Sequence, residues 1–239
     1  MTILEAEGLN KHFGGLAAAS AVDLEVRQGE ILGLIGPNGA GKTTLFNLLS
    51  GALKPDSGTI RFKGANLAGL KPHQISRMGI ARTFQSVKIF SRMSVFNNVF
   101  LGHLFGRGHS TPSNIARRET AEILEFVELL ELRDLRAMDL ILANQKRLEV
   151  ARALATNPDL LLLDEVMAGL TPTEIASAME LVKKTRDRGV TIVMIEHVMK
   201  AIMSICDRII VLHHGEKIAE GTPEEITRNR TVIEVYLGE

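Results

Sequence analysis

The sequence has 239 residues and a single cysteine, Cys206. One thiol excludes an internal disulfide and leaves no cysteine cluster for a structural zinc, so a reducing compartment is expected. Surplus charge is also missing, since 28 basic side chains balance 28 acidic ones. A chain without net charge is not built mainly to wrap nucleic acid or to coat an anionic membrane, although local patches stay open. No stretch approaches the roughly 18 to 20 apolar residues of a membrane span. The segment Met1 to Asn10 carries Glu5 and Glu7 and lacks the basic-then-apolar plan of a secretory signal. Low-complexity tracts and internal repeats are absent as well. The expectation is a soluble, cytoplasmic protein that would rely on another subunit for any membrane spans.

What is present is 45% hydrophobic, which in a chain of this length suits one large domain with a sizeable core or an insertion. Ile31 to Ile35, Leu160 to Leu163, Val190 to Ile195 and Ile209 to Leu212 are short, predominantly apolar runs. Runs that do not alternate with polar residues read as strands buried on both faces, hence as a parallel sheet. Thr171, Pro172 and Glu174 open a segment in which Ile175, Met179 and Val182 recur at helical spacing. That is a capping box with proline at the first helical position, and Thr222, Pro223 and Glu225 repeat it near the C-terminus. Strands alternating with helices give an α/β fold.

Two regions break this rhythm. Ala21 to Val26 and Gly58 to Phe62 are short and half polar, which suggests an antiparallel sheet near the N-terminus. Residues 86–155 read as mostly helical, with Ile123, Phe126, Val127 and Leu130 on one face of a single helix. We expect one domain over 1–239 with a helical subdomain inserted at 86–155, its start flexible near Gly106 to Ser113.

The chemistry begins after the strand Ile31 to Ile35, with Gly36, Pro37, Asn38, Gly39, Ala40, Gly41, Lys42, Thr43 and Thr44. A glycine, four residues, then Gly-Lys-Thr between a strand and a helix is the phosphate-binding loop. Its glycines let backbone N–H groups converge on phosphate oxygens, Lys42 pairs with the outer phosphates, and Thr43 can hold Mg²⁺. Its acidic counterpart follows the four leucines of Leu160 to Leu163. There Asp164 would bind Mg²⁺ through water, and Glu165 would polarise an attacking water. Gln85 follows Arg82, Thr83 and Phe84, and His197 follows Ile195 and Glu196.

In that order the glycine loop, Gln85, the helical region, Leu163 to Glu165, Ala168 to Leu170 and His197 resemble the ATP-binding subunits of ABC transporters across essentially the whole chain. The resemblance implies a P-loop NTPase of ABC type that binds and hydrolyses ATP with Mg²⁺. It implies that Gln85 touches the metal or the attacking water and senses the membrane subunit, that His197 contacts the γ-phosphate, and that Ala168 to Thr171 crosses to a partner ATPase. By the same resemblance Phe13 stacks on adenine; a place in the core is its alternative. Ala81 to Gln85, Ile195 to Met199 and the terminal Val235 to Gly238 look most like the LivG-type ATPase of branched-chain amino-acid importers.

The departures matter too. Where the family carries a Leu-Ser-Gly-Gly-Gln signature, this chain reads Leu140, Ile141, Leu142, Ala143 and Asn144. Ile141 has no hydroxyl, although the helix dipole and backbone donors survive. Val166 stands where proline usually follows the acidic pair, and Thr171 where Asp or Asn is frequent. The implied partners are transmembrane permease subunits, a second ATPase as a heterodimer in preference to a homodimer, and indirectly a substrate-binding protein. No nucleic acid is expected, and the chain would sit peripherally on the inner face of the cell membrane. Ile89, Phe90 and Met93 are either walls of a docking groove beside Gln85 or ordinary core. Two rival functions stay open: an ATPase of the same superfamily acting on nucleic acid or ribosomes, and a nucleotide-gated scaffold with weak turnover.

Overall fold

The computed structural model describes residues 1–107 and 112–237. They form two compact units, one of Met1–Ile75 with Thr191–Glu239 and one of Ser76–Val190. In the first unit β1 (Thr2–Phe13) and β2 (Leu16–Arg27) make a long antiparallel hairpin. β2 alternates as a half-buried strand should: Val22, Leu24 and Val26 are buried, while Ala21, Asp23 and Glu25 are exposed. After β3 (Ile31–Ile35) come α1 (Lys42–Leu49), β4 (Ser57–Phe62), β5 (Ala65–Asn66) and α2 (Pro72–Met78). The antiparallel sheet has the order β2-β1-β4-β5. The two expected strands are there, and β1, which was not anticipated, lies between them.

In the second unit β6 (Ile80–Arg82) runs parallel to β7 (Leu160–Asp164), with Ile80 opposite Leu160. Between them stand α3 (Val95–Phe105), α4 (Ser113–Phe126) and α5 (Leu142–Leu154), packed around Val95, Val99, Leu124, Leu129 and Leu148. α6 (Pro172–Asp187) follows β7, capped by Thr171 and Glu174 as expected. One expectation is corrected here. Ile123 to Leu130 is not one helix, because α4 ends at Phe126 and Leu130 belongs to a separate 3₁₀ turn. Glu128 adopts φ 61°, the Leu129 N–H reaches the Leu124 carbonyl at 2.7 Å, and the Glu128 N–H reaches that of Glu125 at 3.0 Å. That is a Schellman stop built without glycine. Half of the segment expected to be flexible, residues 108–111, lies outside the described residues.

Back in the first unit, β8 (Thr191–Ile195), α7 (Met199–Ile205), β9 (Arg208–His213), β10 (Glu216–Gly221), α8 (Pro223–Arg228) and α9 (Arg230–Leu237) complete the chain. β8 and β9 flank β3 in parallel, and β10 pairs antiparallel with β9. Every residue of β3 and β8 is buried, which is why these strands could be continuous apolar runs. Arg208, itself buried, holds Glu30 Oε1 at 2.7 Å and the Glu25 carbonyl at 2.6 Å, and it also pairs with Glu220. Removing one partner of such a buried pair costs about 3–5 kcal/mol.

Candidate functional site

The glycine loop of the first unit turns from β3 into α1 under tight constraint. A Cβ on Gly36 would stand 2.1 Å from the Leu212 carbonyl of β9, and one on Gly41, at φ 100°, would stand 2.3 Å from the Ala18 carbonyl of β2. Only glycine lets the loop press against both strands. Lys42 is 7% exposed and donates from Nζ to the carbonyls of Gly36 at 2.7 Å and Pro37 at 3.0 Å. The Ala40 carbonyl accepts from the Gly215 N–H at 3.1 Å. Asn38, Gly39 and Thr43 are exposed, and Thr44 is partly so. Among the described residues no side chain caps α1 and no acid sits in its first turn. Its N–H groups and positive end thus face the side from which an anion would arrive.

Phe13 ends β1 at 48% exposure, with Lys11 Nζ 5.9 Å from the ring centre. It does not fill the core. His197 is exposed just beyond β8, next to the buried Glu196. On α9, burial pushes the Tyr236 phenol up from its ordinary value.

In the second unit Asp164 closes β7 at 1% exposure. Its Oδ2 accepts from Arg82 Nη2 at 2.8 Å, and its N–H donates to Thr83 Oγ1 at 3.0 Å. Its Oδ1 is buried without a hydrogen-bond partner among the described residues. A buried carboxylate oxygen left over in this way fits a hydrated cation. Glu165 follows in the left-handed region at φ 53°. Gln85 Nε2 donates to both of its carboxylate oxygens at 3.1 Å, so the structure joins these two expected residues directly. The Glu165 carbonyl accepts from Lys146 Nζ at 2.7 Å and from the Ala168 N–H at 3.3 Å.

The segment after Gln85 is tied to α5. Glu149, 3% exposed, accepts from the Lys88 N–H at 3.1 Å. Burial pushes its carboxyl up, and that bond together with Arg152 draws it back. Phe90 is 50% exposed, its ring 5.5 Å from the Arg152 guanidinium, whereas Ile89 packs on the helical core. The altered signature lies where a helix begins: Ile141 is the N-cap of α5, 64% exposed, with no side-chain hydrogen bond.

Comparison with known proteins agrees with this arrangement. Residues 19–168 match the family model described as ABC transporter, and residues 216–239 match one described as branched-chain amino acid ATP-binding cassette transporter. The high-affinity branched-chain amino acid transport ATP-binding protein LivG of Salmonella typhimurium is 45% identical over 99% of this chain and 98% of its own. An ATP-binding cassette of an ABC transporter solved in its ADP conformation superposes with a TM-score of 0.88 at 32% identity, covering all of both chains. A dimeric cassette in a post-hydrolysis state with ADP and Pi gives 0.82 at 26% identity, over 92% of this chain and 99% of that one. With its glycine loop, its acidic strand end and a likeness that spans both units, the chain belongs to the ABC transporter family as an ATP-binding cassette, the ATPase of such transporters.

Proposed function

We propose that this cassette powers an importer of branched-chain or related amino acids. The observation that carries the substrate class is the match of residues 216–239 to the branched-chain cassette model. We read 1–239 as one ATPase domain with 86–155 as its helical subdomain, held peripherally on the inner face of the membrane by permease subunits. Among the described residues no helix is long and apolar enough to cross a membrane itself. A substrate-binding protein would deliver the amino acid.

The residues divide the work as follows. Phe13 offers its exposed ring to the adenine. Gly36 to Thr44 cradle the phosphates with backbone donors, and Lys42 neutralises the outer ones. Thr43, Gln85 and Asp164 would hold Mg²⁺, which when bound supplies positive charge against the phosphate oxygens. Glu165 takes a proton from water as its oxygen bonds to the γ-phosphorus and the bond to the bridging oxygen breaks, leaving ADP and phosphate. His197 contacts the γ-phosphate, and Ala168 to Thr171 meets the second ATPase. Phe90 and Met93 offer an apolar wall to the permease.

Glu165→Gln keeps the shape of the carboxylate and loses its basicity. In the assembled transporter it should bind ATP normally, slow turnover at least ~100-fold and abolish ATP-driven uptake of labelled leucine. Lys42→Ala should instead lose ATP binding itself. Normal turnover by the first variant or tight ATP binding by the second would contradict the assignment, and leucine-independent ATPase with no leucine uptake in the wild type would remove the substrate class.

A further inference from the structure

We propose that Lys146 is a positioning residue for Glu165, tying the backbone of the water-polarising carboxylate to the helix whose first turn carries the altered signature. Three observations meet at this side chain. Lys146 lies in α5, whose N-cap is Ile141, and it is only 7% exposed. A buried ammonium must be matched by acceptors, and one of them is the Glu165 carbonyl at 2.7 Å. Glu165 itself stands at φ 53°. A side chain other than glycine, Asn or Asp is held in that region only where its surroundings fix it.

The carboxylate end of Glu165 is met by Gln85, which is exposed. The backbone end is met by the Ala168 N–H at 3.3 Å and, more closely, by Lys146, which is buried. Both ends must be held to aim the carboxylate, because rotation of the 165–166 backbone would swing it as surely as a change of rotamer. The buried anchor comes from the helix that begins with Ile141 and Leu142, the segment the family resemblance assigns to the opposite nucleotide. A shift of α5 on engaging that nucleotide would therefore reach Glu165 through one hydrogen bond. Lys146 touches neither water nor phosphate in this role.

The inference rests on Glu165 being the base, and the test separates the two. Lys146→Met, Lys146→Gln and Lys146→Arg are made in the full-length chain, each in the wild-type and the Glu165→Gln background, and assayed in the assembled transporter. Lys146→Met, which keeps the stem and loses the donor, should lower kcat at least tenfold and leave the KM for ATP within twofold. Lys146→Arg should restore most of the turnover. On the Glu165→Gln background Lys146→Met should cost nothing further in the slow residual rate. Should the Met variant fail to fold, Lys146→Gln, which retains a shorter donor, is read by the same cycle. An unchanged kcat, a KM that rises with the fall in kcat, or losses that multiply in full with Glu165→Gln overturn the proposal. If Glu165→Gln alone turns over normally, the assignment of the base fails first; if it stalls while the Lys146 variants do not, only the positioning role fails.

Discussion

Ile141 stands at the N-cap of α5 with φ −65° and ψ 159°, the extended conformation a capping residue adopts, yet it offers no acceptor to the first turn. Its side chain is 64% exposed, so replacing it forfeits little apolar burial. The gain should therefore win: Ile141→Ser should stabilise the chain by about 1 kcal/mol, or about 2–4 °C in Tm for a chain of this size, measurable by calorimetry. An unchanged or lowered Tm would show that the serine does not reach the α5 amides. The departure at Ile141 was legible from the sequence because it breaks a contiguous motif. Lys146 was not, for its partner at Glu165 is a backbone carbonyl, and a carbonyl leaves no residue-type signal at either position. Glu149 was hidden for the same reason, since it accepts from the Lys88 backbone.

The strands and helices divide by how regular their pattern is. β3, β7, β8 and β9 could be located from unbroken apolar runs, because strands buried on both faces need no polar residue. β1 was hidden by its irregularities. Its pairing with β2 shifts register between Ala6 and Leu9 and again near Lys11, and Gly8 sits at φ 57°, so the two-residue alternation does not persist. The end of α4 was hidden by Glu128, which does the work of a terminal glycine. Packing of α3 on α4 also sets a pH response. His103 on α3 is buried, with Nδ1 3.5 Å from the Glu119 carboxylate of α4. Burial lowers its pKa below the usual 6.5, and Glu119 pulls it partly back. Above that value both folded and unfolded chains are neutral at this site. Below it the unfolded chain takes up the proton first, so stability falls with pH until the folded state titrates too. The melting midpoint should drop more between pH 7 and pH 5.5 for the wild type than for His103→Gln, and equal drops would remove His103 as the source.

At the scale of the whole molecule, the phosphate loop was readable because its chemistry is contiguous, while the Gln85–Glu165 contact spans eighty positions of sequence and needed the β6–β7 pairing to appear. The same reasoning extends to the second ATPase that the family resemblance implies. The family resemblance has two cassettes meeting head to tail, each completing its neighbour's nucleotide with the signature segment, and a dimeric cassette is among the similar structures. This chain brings the candidate catalytic residues Gln85, Glu165 and His197 together with Lys42 and Asp164, but the segment it would lend to its neighbour presents the exposed Ile141 in place of a hydroxyl. Two copies would leave both sites without that donor. A different ATPase with an intact serine would complete the site built on Lys42 and Glu165 and leave the opposite one weakened. The loss of one charge-assisted hydrogen bond there amounts to about 1.5–3 kcal/mol, or roughly ten- to a hundredfold. Changing the catalytic Glu to Gln in each ATPase separately should therefore stop transport when made in this chain and slow it far less when made in the partner. Equal losses from the two changes, or brisk ATPase from this chain alone as a homodimer, would contradict an asymmetric pair, and Ile141→Ser should narrow the difference between the two sites by strengthening only the neighbour's.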